Sequence, residues 1–263
     1  MRRLYALAVA ALLAAPAVPA HAADSGWTVT VGVKAGVLPD YEGANRYVFR
    51  PVPLFDIRPA GTPPRFRSPR ESIGLGMFEQ GGFRAGAAAK LRFPRKEGDD
   101  PDLRGLGDVD WGAELGGFVE YWPVQWLRAH AELRQGVGAH HGIVSDILLD
   151  AVWPVTPMLT LSGGPRLTIQ TQKAVAPYFD VTPAQSAASG LPVYSTSGGF
   201  TSWGLGAQAR YDWSPQWATY LYVEYQRLVG DVANAPIVAI RGSRDQFEGG
   251  LGVTYSFNMS SLW

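Results

Sequence analysis

The chain has 263 residues, with 23 basic against 23 acidic side chains, no cysteine, 31 glycines, 9 Trp, 11 Tyr and 11 Phe. Balanced charge lacks the basic surplus that a nucleic-acid partner requires. The missing cysteines exclude a disulfide framework and any thiol-linked lipid anchor. Beyond the N-terminus no stretch reaches the ~18 uncharged apolar residues of a membrane-spanning helix.

In chain order, residues 1–22 read as a signal peptide. Arg2 and Arg3 form a positive start, Leu4 to Ala15 an apolar run, and Ala20-His21-Ala22 a small-x-small cleavage site. The apolar run is too short for a membrane helix. Cleavage after Ala22 leaves 21 basic and 23 acidic residues, a formal charge of −2. Residues 23–257 then read as one unit of short strands. The first, near 27–37, sets Trp27, Val29, Val31, Val33, Ala35 and Val37 against Thr28, Thr30, Gly32, Lys34 and Gly36. A period of two sends these sets to opposite faces. One face is continuous and apolar, and the other is too polar for a core. Apolar toward lipid and polar toward a lumen is the pattern of an outer-membrane barrel.

Further strands are predicted near 46–58, 63–68, 71–79, 82–93, 109–122, 125–138, 143–154, 157–170, 200–213, 216–229 and 245–257. The segment at 63–68 rests on little more than Arg65-Phe66-Arg67. It makes the count even, as bacterial single-chain barrels with both termini in the periplasm require. The expectation is therefore an all-β, transmembrane, antiparallel up-and-down β-barrel of about twelve strands, ten being possible if 46–79 pairs differently. Pro- or Gly-bearing turns at 79–82, 122–125, 154–157 and 214–216 alternate with longer connections at 38–45, 94–108, 171–199 and 230–244. These read as periplasmic turns and extracellular loops, with 139–142 a short exception. The 171–199 loop carries Pro177, Pro183 and Pro192 and is expected to be ordered over the barrel mouth. Trp111, Tyr121, Trp122, Trp126, Trp153, Trp203, Tyr211, Trp213, Trp217, Tyr255 and Phe257 fall at strand ends, where aromatic girdles meet headgroups. A soluble periplasmic sandwich is the structural alternative, and it leaves this girdle unexplained.

The polar faces place Arg84, Lys90 and Arg92 opposite Asp110, Glu114 and Glu120 on the next strand. Beyond them follow Arg128, His130, Glu132 and Arg134, then Asp146 and Asp150, then Arg166. Charge sign alternates between neighbours, so inward side chains can pair across strands. An unpaired charge in a narrow lumen costs on the order of several kcal/mol, which favours a braced, closed or narrow barrel. No set of residues in the sequence forms a catalytic constellation. His140, His141, Ser145 and Asp146 crowd one strand entry, but adjacent residues on a strand point apart, which defeats a triad. No third ligand accompanies the two histidines. Gly74-Leu75-Gly76 and Gly204-Leu205-Gly206 lie within strands and open no helix, unlike phosphate loops. Arg95-Lys96-Glu97-Gly98-Asp99-Asp100 reads as a solvated loop. The expectation is a protein that is not an enzyme and has no cofactor or metal site.

Four ordered pieces resemble one family. They are Pro39-Asp40-Tyr41-Glu42-Gly43 with Pro51-Val52-Pro53, Gly107-Asp108-Val109-Asp110 with Glu114-Leu115-Gly116, Tyr178-Phe179-Asp180-Val181-Thr182-Pro183-Ala184-Gln185-Ser186 with Ser189-Gly190-Leu191 and Tyr194, and Leu228-Val229-Gly230-Asp231 with Ser243. Together they resemble the MltA-interacting protein / OmpV family of Gram-negative outer membranes. That resemblance implies an outer-membrane barrel. For the name-giving members it implies a scaffold between a murein lytic transglycosylase and a bifunctional murein synthase. Other members look like adhesins or are linked to osmotic adaptation and antibiotic response. No catalytic residue is implied. The alternative expectation is a narrow pore, transport protein or adhesin using the long loop. Tyr255 and Phe257 match the aromatic end read by barrel assembly, yet a six-residue extension, 258–263, follows. Phe257, Met259, Ser261 and Trp263 nearly continue the alternation, so either Phe257 or Trp263 fits as the terminal signal.

Overall fold

The computed structural model describes residues 26–62 and 64–260. The expected signal peptide, and Trp263 with it, lie outside the described residues. The strands are β1 Gly26–Pro39, β2 Tyr47–Pro59, β3 Ile73–Gln80, β4 Phe83–Arg92, β5 Gly112–Val124, β6 Leu127–Val137, β7 Ile143–Pro154, β8 Leu159–Thr171, β9 Gly198–Asp212, β10 Trp217–Leu228 and β11 Asp245–Ser260. They form one antiparallel sheet in the order β2-β1-β11-β10-β9-β8-β7-β6-β5-β4-β3. The sheet curls about a lumen and brings β2 and β3 to face each other across a seam, with no hydrogen-bonded ladder between them. No helix among the described residues is long and apolar enough to cross a membrane.

Burial along each strand shows why the sequence makes a wall. On β6, Arg128, His130, Glu132 and Arg134 are buried, while Leu133 and Val137 between and beyond them are exposed. On β7, Val144, Asp146, Leu148 and Asp150 are buried, while Ile147, Leu149 and Trp153 face outward. Such an arrangement is unfavourable in water and favourable in lipid, where the outer face meets acyl chains. The expected girdles are present at both rims. Trp126, Trp153, Trp213 and Trp217 are exposed beside the tight turns, while Phe93, Trp111, Trp203 and Phe247 are exposed toward the loops. Neighbouring rings pack, with Tyr211 to Trp213 at 4.5 Å and Phe93 to Trp111 at 5.2 Å between centroids. We take the tight-turn rim as periplasmic and the loop rim as extracellular.

The strand count departs from the expected twelve, because 64–68, the described residues of the expected 63–68 strand, are not in the wall. Antiparallel pairing around the sheet makes both β2 and β3 run toward the tight-turn rim. The chain between them therefore climbs back, and it does so inside the lumen. Pro64 and Pro69 cannot donate to a ladder, and Arg65, Arg67, Arg70 and Glu71 are too polar for a lipid-facing surface. Phe66 lies under the Arg128 guanidinium, 5.3 Å from it. An odd wall thus keeps Gly26 and Ser260, which pair with each other, on one rim. β11 continues past Phe257, with Met259 opposite Trp27.

The seam is written into β2. Pro51, Pro53 and Pro59 occupy the same parity of the strand, opposite Ala35, Val33 and Trp27. A proline can pair in an antiparallel ladder only where its missing N–H points to the other side. All three therefore point theirs at the seam, which leaves β2 an edge strand by composition.

Candidate functional site: a braced lumen under a folded cap

The lumen is filled by an ion-pair lattice built from register. Arg128 faces Asp150 across β6–β7 and Glu132 faces Asp146. The Glu120 register positions meet Arg84 on one side and His130 on the other. Arg128 is fully buried and donates to Glu120 at 2.5 Å, to Glu71 at 2.7 Å and to Asp150 at 3.4 Å. Arg134 donates to Glu114 at 2.9 Å, to Asp146 at 2.6 Å and to Glu132. Arg166 donates to Asp150 at 2.5 Å. His130 bridges Arg128 and Glu132, at 2.9 and 3.1 Å. Every carboxylate in this set has a cationic partner, as a low-dielectric interior demands.

The climbing segment, described over residues 64–72, acts as a plug that engages the wall on several sides. Arg70 bonds Thr168 on β8 at 2.6 Å, Asp146 on β7 at 3.4 Å and Glu224 on β10. Glu71 takes a double hydrogen bond from Arg128, at 2.7 and 3.0 Å. Ser72 donates from its N–H and its hydroxyl to Glu132, at 3.0 and 2.5 Å. The plug's carbonyls are held too, Pro69 O by Lys34 and Arg70 O by Lys90, both at 3.0 Å.

Above the lumen, the loops form a cap with the one large cluster of buried apolar side chains among the described residues. Tyr41 and Ala44 come from the β1–β2 loop, and Leu103 and Leu106 from the β4–β5 loop. Val175, Phe179, Val181 and Leu191 come from the β8–β9 loop, and Val232, Ile237 and Val238 from the β10–β11 loop. The long loop folds as helices α1 Gln172–Phe179 and α2 Pro183–Ser189. Thr182 and Gln185 form a reciprocal capping box at the start of α2. The β10–β11 loop adds α3 Gly230–Asn234 and α4 Pro236–Ala239. Glycines permit the close approach of these loops. Gly43 sits at φ 96°, where an added Cβ would lie 2.6 Å from Val238, and Gly105 at φ 81°, where it would meet the Ala188–Ser189 backbone at 2.7 Å. Polar ties cross between loops, including Arg95 to the Tyr178 carbonyl at 2.6 Å, Gln185 to the Leu106 carbonyl at 2.5 Å and Tyr194 hydroxyl to the Asp231 carbonyl at 2.9 Å. Hydrogen bonds from Ser197 hold the Asp231 carboxyl below its ordinary range. Burial pushes the Tyr41 hydroxyl up, so it stays neutral. Tyr178 joins cap to lumen: Arg92 lies over its ring at 5.3 Å and His140 at its edge at 6.3 Å, while His140 also reaches Glu114 at 3.0 Å.

Of the residues placed in the lumen by sequence, Glu114, Glu120, Arg128, Glu132, Arg134, Asp146, Asp150 and Arg166 are buried in the lattice. Lys90 lies 3.9 Å from Asp146, and Arg92 lies 3.3 Å from Glu114. Asp110 does not belong there. β5 begins at Gly112, so Asp110 falls in the loop, exposed and 2.7 Å from Lys96. Arg84 faces the lumen but makes no ion pair or hydrogen bond among the described residues, and stacks over Phe118 at 5.1 Å. His140 and Asp146 are engaged with different partners, which leaves no hydrolase arrangement with Ser145. Among the described residues no group of three His, Cys, Asp or Glu could hold a metal ion. Sequence reasoning missed the plug residues Arg70, Glu71 and Ser72. Their signal was a charged, serine-bearing run beside prolines, too polar for a wall.

The four sequence pieces that carry the family resemblance meet in space. Asp40–Gly43, Gly107–Val109, 178–194 and 228–231 are all parts of the cap, and Glu114 lies at its floor. Among solved structures, a NanC porin matches at 7% identity, covering 87% of this chain and 98% of its own, with a TM-score of 0.43. An outer membrane channel of Pseudomonas putida F1 matches at 12% identity, covering 92% and 100%, with a TM-score of 0.43. The KdgM porin matches at 10% identity, covering 88% and 99%, with a TM-score of 0.39. No curated protein matches the chain significantly. The family model described as MltA-interacting protein MipA matches residues 31–257, from the first strand through Phe257, and the chain belongs to that family.

Proposed function

We propose that this barrel is a non-conducting, non-catalytic scaffold of the outer membrane that docks peptidoglycan-remodelling enzymes on its periplasmic rim. The observation that carries the reading is the cross-braced lumen. A pore needs water-facing charges, whereas here the plug and wall pair their charges with each other and the cap lies over the mouth. A wall stiffened in this way suits an anchor. The family description names MltA interaction, and that supports a lytic transglycosylase as one partner; a bifunctional murein synthase is the second we propose. The short turns at 81–82, 125–126, 155–158 and 213–216 are the surface a periplasmic enzyme meets.

Crosslinking in the outer membrane, followed by detergent extraction and mass spectrometry of the captured proteins, tests this. Enrichment of a lytic transglycosylase or murein synthase, reduced by charges introduced in the turns such as Gln125→Glu and Gln216→Glu, is expected. Recovery of the barrel alone would contradict the scaffold role. The ordered cap favours one other reading, an adhesin-type surface built on a rigid extracellular platform, which host-surface binding lost on cap disruption would reveal.

A further inference from the structure

At the periplasmic half of the seam, a cavity of about 270 Å³ opens between β2, β3 and the plug. Its level follows from register: Arg84 sits opposite Glu120 near the tight turns, and Trp27 opposite Met259. Residues from both faces of β3 line it, including Gly74, Gly76, Leu75 and Met77. A cavity touching both faces of an edge strand opens sideways through the wall. Met77, at 77% exposure, stands on the lipid side of that opening.

Four arginines and four carboxylates line the interior. Arg58, Arg65, Arg67 and Arg84 line the cavity. Asp56 pairs with Arg58 and Arg67, and Glu79 with Arg65. The remaining carboxylates, Glu71 and Glu132, are engaged by Arg128 and Arg134. The Arg84 side chain makes no hydrogen bond or close ion pair among the described residues and lies over the Phe118 ring, with Glu120 and Glu79 opposite it on the neighbouring strands. An arginine without a hydrogen-bonded carboxylate at the inner end, and apolar side chains at the outer end, match an amphiphile with an anionic head. At bilayer depth, unpaired strand edges are costly, by several kcal/mol per group. Three prolines remove donors on the β2 side.

We propose that this seam cavity binds an anionic phospholipid of the periplasmic leaflet. The phosphate meets Arg84, with Arg58 and Arg67 beside it, and the acyl chains leave through the seam over Leu75 and Met77. The site is independent of the docking role above.

The test uses the folded full-length barrel in zwitterionic detergent, with native mass spectrometry of added phosphatidylglycerol or phosphatidylcholine of identical chains. Retention of phosphatidylglycerol about tenfold above phosphatidylcholine is expected, because phosphatidylcholine offers the same phosphate but brings a quaternary ammonium beside Arg84, Arg58 and Arg67. Arg84→Gln should abolish that preference, while Arg84→Lys keeps most of it and Arg227→Gln, at the loop rim, leaves it intact. Equal retention of both lipids would overturn the proposal, as would a preference that survives Arg84→Gln. Full displacement by millimolar inorganic phosphate would also overturn it, marking an anion site without a lipid. A measurement on the unmodified protein guards against misfolded variants. Phosphatidylglycerol carrying a diazirine on its acyl chain should label the 73–80 strand, and labelling spread evenly around the wall contradicts the site.

Discussion

Arg128 concentrates the logic of the lumen in one side chain. It is fully buried and holds Glu71, Glu120 and Asp150, so one cation ties the plug to three neighbouring strands. Removing one partner of a buried pair costs about 3–5 kcal/mol, because the charges left behind stay desolvated. Arg128→Ala leaves Glu71 without its cation and Glu120 with His130, while Asp150 keeps Arg166, and should lower barrel stability by about that range, read as the urea midpoint of the tryptophan fluorescence transition. A change under 1 kcal/mol would mean that water already reaches these groups. At this scale the sequence was largely readable. Strict alternation on β6 put Arg128, Glu132 and Arg134 on one face, and alternation survives in any wall. It failed at Asp110, because a two-residue period does not say where a strand starts. Arg95 and Val109 pair outside the named strands, and Gly112 begins the wall.

At the scale of elements, the plug and the cap are the two departures from a plain barrel. The plug was invisible to periodicity. Arg65-Phe66-Arg67 alternates as well as a short strand does, and only the surrounding prolines and the charge of Arg70 and Glu71 argue otherwise. Parity pointed correctly to one more crossing of the membrane, but that crossing runs inside the lumen. The cap was partly legible: the long loop was expected to cover the mouth, but four loops sharing one apolar cluster required tertiary contacts that no local pattern encodes. Phe179 is at the centre of that cluster, 1% exposed. Phe→Ala in a packed core costs about 3–5 kcal/mol. Phe179→Ala should therefore raise cleavage within 172–197 by about a hundredfold or more under limited proteolysis, which tracks the open population. The urea midpoint of the wall should hardly move. Cleavage unchanged from the parent protein would mean that the cap is held by its polar ties instead.

For the whole molecule, three features act together: an odd-stranded wall with a seam, a plug that ties several strands across the lumen, and a cap that covers the extracellular mouth. The seam follows from the plug. Once residues 64–72 climb inside, β2 and β3 run in the same direction, and the prolines of β2 leave that edge without a full set of donors. The plug in turn needs the charged lattice, since its arginine and glutamate find partners only on the polar wall. A molecule so filled is built to stay shut. The most direct check is planar-bilayer recording of the purified, folded barrel across a range of voltages. Silence, with no resolved conductance steps, is the predicted result. Steady, ohmic steps like those of an open porin would contradict the account, because they would require water-filled space where the structure has paired charges and plug.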